Sequence, residues 1–282
     1  MTLDEKEEWR KKFLQVLADF RLLDDDFMTA IFQDSLECVD LLLQIIIDKP
    51  TIKATKVISQ DTLKNLHGRS VRLDIHAFAE GQEFDVEVQR ADDGASARRA
   101  RYNASLMDAN TLRAGEDYDK LSESYVIFIT ETDVLGEGQP IYIIKRMIQG
   151  SGREFGDGSH IIYVNSSIVD ENTPLGKLMH DFHCTRAEDM YYNILAERVR
   201  YFKETAEGVS RMCKAMEMLT DEAEKRGMER GMKRGMERGR EDAKVDIVLE
   251  MLRGKLPLET IAQMSKFSLE RVKELGKMHS LL

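Results

Sequence analysis

The sequence is poor in the residues that stabilise secreted proteins and in the apolar runs that span membranes. Its 282 residues include three Cys and four Pro. Cys38, Cys184 and Cys213 lie far apart and form no Cys-x-x-Cys pair, which argues against a disulfide framework and a cysteine-rich zinc site. The apolar runs, such as residues 41–43 and 45–47, are far shorter than the roughly 20 residues that cross a bilayer. The start, MTLDEKEEWRKK, does not resemble a signal peptide, so we expect a cytoplasmic protein with no membrane partner.

Positive charge is also in deficit. The chain has 41 Lys and Arg against 51 Asp and Glu, a formal net charge of −10. Such an excess of acid disfavours unspecific binding to nucleic acid, although a local basic cluster can override it. The motifs GxxxxGK[ST] and GxGxxG are both missing, so nothing supports nucleotide binding. With 42% hydrophobic residues the chain can bury a core, which excludes disorder through most of its length.

The spacing of apolar residues divides the first 219 residues into three parts. Residues 4–47 have a helical period, with a helix start near residues 24–26. Six short β-branched runs follow between residues 52 and 164, and a helix of about residues 95–113 interrupts them. Residues 174–219 return to a helical period. This order indicates an α/β or α+β core with helices packed on a sheet.

A four-residue repeat follows, GMER, GMKR, GMER and GR, within residues 222–241. Its glycines form one stripe on a helix and its methionines another. Each glycine costs a helix about 1 kcal/mol, so we interpret this stretch as a marginal helix or hinge that can self-associate.

The last forty residues predict a small helix-turn-helix-like unit. Residues 258–264 and 269–275 have helical patterns, and Ser268 can cap the second. The second helix carries three cations and two acids, a modest charge for a helix that reads DNA. A packing or dimerisation role, giving a homo-oligomer, is the alternative to DNA docking.

The segment of residues 71–89 contains most of the candidate chemistry. Two alternating strands flank Glu80-Gly81, a pair suited to a two-residue hairpin turn. With that turn, Asp74 lies opposite Glu87; a four-residue loop would keep the same faces, whereas a three-residue loop would not. One face then carries six polar residues, namely Arg72, Asp74, His76, Asp85, Glu87 and Gln89.

Opposed carboxylates destabilise a hairpin unless another group compensates their charge. Arg72 or His76 can do so, and so can a divalent cation such as Mg²⁺, which prefers oxygen ligands. A cation held by two carboxylates can activate water and stabilise charge on a phosphoryl group. The pattern taken alone favours a hairpin with one solvated face, and it leaves the metal-binding interpretation open.

Seven sequence blocks in order resemble the PD-(D/E)XK nuclease superfamily, and most closely the PD-(D/E)XK family transposases, or Rpn-type recombination-promoting nucleases. The blocks span roughly residues 24–215 and are DDDFMTAIFQD, GRSVRLDIHA, FDVEVQRADDGA, RRARYNASLMDANTL, YVIFITETDVLG, DGSHIIYVN and LGKLMHDFHC. The resemblance implies an αβββαβ restriction-endonuclease-like core. It also implies a bacterial endonuclease that acts on DNA with Mg²⁺ or Mn²⁺, associated with transposition or recombination.

The resemblance also assigns residues to roles. Asp74 and Glu87 would be the metal-binding acids, and Gln89 stands where the wider superfamily usually has Lys. Gln can orient a water but brings no charge, which leaves room for a weak or lost activity. The first helix supplies a further acid in some members, and Glu37 or Asp34 is the candidate, with Asp34 favoured as a surface residue.

The start of the next helix carries a basic group. Arg98, Arg101 and Tyr102 lie at i, i+3 and i+4 and so share a helix face. The resemblance implies that this face contacts the DNA backbone. The alternative is a solvated helix start that pairs with nearby carboxylates, namely Asp92, Asp93 or Glu116.

These observations predict three segments: a nuclease-like domain over residues 1–219, a Gly/Met-repeat helical linker over 220–243 and a helical unit over 244–282. A second functional hypothesis is a non-catalytic, nuclease-like scaffold that oligomerises or docks DNA through its C-terminal helices. His180 and His183 invite a zinc interpretation, but a structural zinc site needs four ligands, and we expect both histidines to be structural or surface residues.

Overall fold

A computed structural model describes residues 3–65, 68–90 and 92–282. The chain forms two compact units, Met1–Lys214 and Ala215–Leu282. The helices are α1 (Leu3–Asp19), α2 (Asp25–Phe32), α3 (Leu36–Ile46), α4 (Ala97–Thr111), α5 (Pro174–His183), α6 (Asn193–Glu204), α7 (Ala206–Arg253), α8 (Leu258–Ser265) and α9 (Leu269–Met278). The strands are β1 (Ala54–Leu63), β2 (Val71–Ala79), β3 (Gln82–Gln89), β4 (Ser124–Thr130), β5 (Ile141–Ile144) and β6 (Ser159–Asn165).

The six strands form one mixed sheet in the order β1-β2-β3-β4-β6-β5. β1, β2 and β3 are antiparallel neighbours, β4 runs parallel to both β3 and β6, and β5 closes the edge antiparallel to β6. All six predicted strands are present. The stretch from α3 to β4 has the order αβββαβ, which confirms the expected core.

The β2–β3 hairpin closes through the two-residue turn that the sequence predicts. Glu80 and Gly81 have φ values of 51° and 79°, the pair of positive angles that this kind of turn requires. The register therefore pairs Ala79 with Gln82 and His76 with Asp85.

Both faces of the sheet are covered. α4 begins at Ser96, whose hydroxyl accepts a hydrogen bond from the Arg99 backbone N–H, and it packs with Val126 and Phe128 in one apolar cluster. The alternate residues of the central strands, whose side chains lie on the other face of the sheet, are fully buried as well, for example Ile127. The polar face of the hairpin lies on the α4 side, so the interpretation of that face as solvated is wrong.

The predicted helical segments are divided more finely than their periodicity suggests. The segment 4–47 forms three helices, and Asp34 adopts a left-handed φ of 57° between the second and third. The segment 174–219 is interrupted after α5, where the buried Asp181 carboxylate accepts hydrogen bonds from the backbone N–H groups of Tyr191 and Tyr192. The Asp181 side chain thus stabilises the turn that ends α5.

In the second unit the repeat is helical throughout. α7 has 48 residues and runs through the repeat without a hinge. α8 and α9 pack with the end of α7 around Val248, Ile261 and Val272. The Ser268 hydroxyl accepts from the Arg271 backbone N–H, which confirms the predicted cap. None of the described helices combines the length and the apolar composition needed to span a bilayer.

Candidate active site

The predicted acid pair lies just beyond the paired part of the β2–β3 hairpin. The register runs from Ile75↔Val86 to Ala79↔Gln82. Beyond it, the Asp74 carboxylate accepts from the Val88 backbone N–H, and the Glu87 carboxylate accepts from the Asp74 backbone N–H. The two acids are thus brought together between the strands, with exposures of 6% and 0%.

The environment disfavours negative charge on both acids. Burial raises the pKa of Asp74 to about 8, and the nearby charges of Glu87 and Asp25 add to the effect. Burial likewise raises the pKa of Glu87, with a further contribution from Asp85, while Arg99 opposes it. Two neighbouring buried carboxylates repel each other when both are ionised, so they share protons or are stabilised by a cation between them.

A third acid, Asp85, lies behind this pair. Its side chain is fully buried, and burial raises its pKa. One carboxylate oxygen accepts a 2.9 Å hydrogen bond from the Asn103 amide, whose nitrogen is also 3.4 Å from Glu87. The other oxygen, Oδ1, has no hydrogen-bond partner among the described atoms. The site therefore has an excess of buried acceptors.

Arg99 supplies a positive charge that compensates the acids, a role for which the sequence suggested Arg72 or His76. Its guanidinium hydrogen-bonds and ion-pairs with Glu87, donates to the Gly94 carbonyl oxygen at 2.8 Å, and lies over the Phe128 ring at 5.6 Å. Because α4 packs on this face, the first turn of the helix carries Arg99 over the acids.

The expected compensation by Arg72 or His76 is not what the structure shows. His76 bridges two other carboxylates, with its Nδ1 2.7 Å from Asp61 and its Nε2 2.6 Å from Glu83. Burial lowers the pKa of His76, but these two hydrogen bonds outweigh burial and raise it overall. Arg72 is exposed at the rim of the site.

Gln89 lies beside Glu87, and its amide nitrogen is 3.4 Å from a Glu87 carboxylate oxygen. Gly94 makes room for it: a Cβ on Gly94 would lie 2.0 Å from the Gln89 side-chain oxygen. The loop between β3 and α4 therefore holds Gln89 against the acid pair.

An acid of an N-terminal helix that lines the cleft is Asp25, which is not one of the two residues expected from the sequence. Asp25 begins α2, and the Gln60 amide lies 3.3 Å from Asp25 and 3.4 Å from Asp74. Glu37 is exposed in the first turn of α3 and is not among the described residues that line the site. Asp34 is exposed too, as expected. The signal for Asp25 was its place at a helix start inside the block DDDFMTAIFQD.

Asp25, Asp74, Gln89 and Arg99 line a cleft of about 900 Å³, whereas Glu87 and Asp85 are fully buried and are not among the described residues that line it. It brings together Asp74, Gln89, Arg98, Arg101 and Tyr102 from the predicted set. The other residues that line it include three further arginines, namely Arg69, Arg72 and Arg99, together with Asp25 and Asn103. The cleft thus has an acidic floor and an arginine rim.

The rim arginines are open to solvent. Arg98 and Arg101 are exposed and form no ion pair among the described side chains, which do not include those of Asp92 and Asp93. Glu116, the remaining alternative partner, pairs with Lys120 instead. The Tyr102 hydroxyl donates to the Arg69 carbonyl oxygen at 2.5 Å, so it also holds the loop that carries Arg69.

A second cluster of possible metal ligands contains His180, Asp181 and Cys184, whose ligand atoms lie within 4.8 Å of one another. Both Asp181 oxygens already accept backbone hydrogen bonds. His183 turns away to the Ser166 carbonyl oxygen at 2.9 Å. With three candidate ligands among the described residues, this cluster lacks the fourth that a structural zinc site needs.

The comparisons with known proteins agree with this geometry. The family described as PD-(D/E)XK nuclease family transposase matches residues 36–245. No curated protein and no solved structure gives a significant match. The match covers most of the chain and includes the hairpin, α4 and the rest of the sheet. The chain therefore belongs to the PD-(D/E)XK nuclease family transposases.

Proposed function

We propose that this protein is a metal-dependent endonuclease that hydrolyses phosphodiester bonds of DNA in the cleft between the β2–β3 hairpin and α4. The observation that carries the proposal is the juxtaposition of a buried acid pair, Asp74 and Glu87, with an exposed arginine rim. Acids alone would repel a phosphate, whereas a rim of arginines attracts its charge. Membership of a nuclease family supports DNA as the substrate.

The acid floor fits a hard divalent cation such as Mg²⁺ or Mn²⁺. Asp74 and Glu87 offer carboxylate oxygens, the ligand type these ions prefer. The guanidinium of Arg99 brings one positive charge to a floor of several carboxylates, so a divalent ion would relieve the remaining repulsion. When bound, such an ion supplies a nucleophilic water at neutral pH and stabilises charge on the phosphoryl group.

The remaining residues position the reactants. The amide of Gln89, held against Glu87, can orient the attacking water. Asp25, connected to Asp74 through Gln60, can accept a hydrogen bond from that water or bind the ion. Arg98 and Arg101 on the rim would bind phosphates on either side of the cleavage point.

Arg99 would supply the positive charge that Gln89 does not. Two of its five N–H groups are engaged, by Glu87 and by the Gly94 carbonyl. Its side chain is 35% exposed and lines the cleft, so its free N–H groups can bind a phosphate oxygen. A charge on α4 thus compensates for an uncharged residue on β3.

The test is nicking of supercoiled plasmid by the purified protein with Mg²⁺, Mn²⁺ or EDTA. We expect cleavage that needs the ion and is lost in Asp74→Asn and in Glu87→Gln. Glu37→Gln removes the same charge from an exposed site and should cleave like wild type. Cleavage that survives in EDTA or in both acid variants would contradict the proposal.

An inactive wild-type protein would favour the alternative of a non-catalytic, nuclease-like scaffold. Folding of each variant is checked by thermal unfolding, so loss of cleavage can be separated from loss of structure. Arg99→Lys keeps the charge but not the planar group, and we expect it to retain more activity than Arg99→Gln.

A further inference from the structure

Positive charge is concentrated in one part of α7. Residues 225–240 contain seven Lys and Arg and two Glu, a formal charge of +5, while the rest of the chain carries −15. In the three complete copies of the repeat, the third residue is Glu, Lys and Glu in turn, so its charge alternates. The fourth residue is Arg in all three copies. This strong local charge contrasts with the acidity of the chain as a whole.

The basic segment is open to solvent on every side. All described side chains from residue 224 to residue 244 are exposed, including Met228, Met232 and Met236 at 57–69%. Arg230, Arg234 and Arg238 form no ion pair with any carboxylate among the described residues. The charges of these arginines are therefore not neutralised within the described part of the chain.

The spacing of the repeat places these arginines in a line. Residues four apart are about 6 Å apart along a helix axis and turn about 40° around it, so the arginines form one slowly winding stripe. The 16 residues of the segment extend about 24 Å, the length of roughly seven base pairs of duplex DNA. Within it, the row from Arg230 to Arg238 extends about 12 Å, the length of roughly three to four base pairs, so its guanidinium groups can contact phosphates along one side of the duplex.

The glycines leave a second stripe with no side chains. An added Cβ at Gly227, Gly231, Gly235 or Gly239 would meet nothing within 4 Å, so no packing inside the described chain requires glycine there. A side-chain-free stripe lets a bulky partner approach the helix backbone closely. The apolar stripe consists of methionines alone, too narrow for the broad apolar face of a helix that lies in a membrane surface.

We infer that residues 225–240 of α7 bind the phosphate backbone of duplex DNA through the stripe that contains Arg230, Arg234 and Arg238. The inference deepens the proposed function, because it gives the nuclease a hold on DNA that is independent of the metal and of the cleft. It also differs from docking through α9, where Arg271 already pairs with Glu274.

The experiment measures binding of the full-length protein to a fluorescent 30-base-pair duplex in EDTA over a range of salt concentrations. Arg230→Gln/Arg234→Gln/Arg238→Gln should raise Kd about tenfold or more at low salt. It should also reduce the slope of log Kd against log salt by about 3, one for each phosphate that the variant no longer neutralises. Far-UV circular dichroism checks that the helix content of the variant is unchanged.

The matched control is Arg271→Gln/Lys273→Gln/Lys277→Gln, which removes the same charge from α9. We expect its Kd to stay within about twofold of wild type. Equal weakening in both variants would indicate a net-charge effect, and weakening confined to the control would place the DNA site on α9. Either result would overturn the inference, as would binding of the α7 variant like wild type.

Two further probes separate nucleic acid from other anionic partners. Tighter binding of wild type to polyglutamate or to phosphatidylserine vesicles than to the duplex would overturn the inference. Because every measurement is made in EDTA, the outcome does not depend on cleavage. A protein that binds DNA through α7 but never cuts it would uphold the inference and contradict the proposed function.

Discussion

Gly94 is the residue on which the position of Gln89 depends. We predict that Gly94→Ala lowers the cleavage rate, because a Cβ there would lie 2.0 Å from the Gln89 side-chain oxygen and would push the amide away from Glu87. A displacement of about 1 Å can cost up to a hundredfold in rate. The displaced atom is the end of a flexible side chain, so the free energy of unfolding should change by less than about 1 kcal/mol.

A double-mutant cycle checks this prediction. If Gly94→Ala acts through Gln89, it should slow the wild-type enzyme but cost little more in a Gln89→Ala background. Plasmid nicking gives the rates and thermal unfolding gives the stabilities. Additive effects in the double variant would show that Gly94 acts by another route, and an unchanged rate in the single variant would show that Gln89 does not need this position.

At this scale the sequence predicted that Asp74 and Glu87 lie close together, but it did not predict Arg99 or Asp25 beside them. The proximity of the two acids followed from the pleat and from the turn at Glu80-Gly81, both local, whereas their role as metal-binding acids was implied by the family resemblance. Arg99 was missed because three arginines within four positions leave the rotation of α4 open. The buried apolar residues of α4, namely Ala100, Ala104, Leu106 and Met107, decide that rotation, and Arg99 and Asn103 lie next to them. The approach of Asp25 to Asp74 is a long-range contact that no local spacing specifies.

At the scale of elements, α2 is held by a side chain from another helix. Arg198 of α6 donates to the carbonyl oxygens of Ala30, Ile31 and Gln33, at 3.2, 3.0 and 2.8 Å. These are carbonyls near the C-terminal end of α2, which the helix itself leaves unpaired. Since α2 begins with Asp25, this cap also orients one end of the candidate site.

We predict that Arg198→Met lowers the free energy of unfolding by about 2 kcal/mol, because it leaves three carbonyls without a charged donor. Arg200→Met is the matched control on the same helix. Arg200 has its nearest carboxylate, Glu204, at 3.9 Å on the surface, and such pairs contribute less than about 1 kcal/mol. Urea unfolding measures both variants, and equal destabilisation would contradict the capping role.

Strands were predicted better than helix boundaries, for a physical reason. Each strand is a short β-branched run bounded by Gly, Asp or Pro, so its limits are local. The helical segments share one apolar period across their breaks, and the breaks depend on tertiary contacts such as Asp181 with Tyr191 and Tyr192. For the repeat the sequence left two alternatives open, a marginal helix or a hinge, and α7 runs through it as a continuous helix.

For the whole molecule, the acid floor links stability to pH. Burial raises the pKa of Asp74, Asp85 and Glu87 from ordinary carboxyl values to about 8. Between about pH 4 and pH 8 these three carboxyl groups therefore bind more protons in the folded protein than in the unfolded chain. Their contribution to the free energy of unfolding falls as pH rises through this window, because stability decreases with pH wherever the folded state holds the extra protons.

We predict that the melting temperature in EDTA falls as pH rises from about 5 to about 8. We also predict that Mn²⁺ raises the melting temperature more at pH 8 than at pH 5. The ion competes with protons for the same oxygens, and a ligand of the folded state stabilises it by mass action.

Glu87→Gln should flatten the pH dependence and reduce the effect of Mn²⁺, whereas Glu37→Gln should change neither. His76, whose pKa is also raised, contributes a fall of the same sign in every variant, so the difference between variants isolates the acids. If the melting temperature of Glu87→Gln depended on pH as steeply as that of wild type, Glu87 would be ionised in the folded protein with no loss of stability. The acids would then not require a cation to compensate their charge.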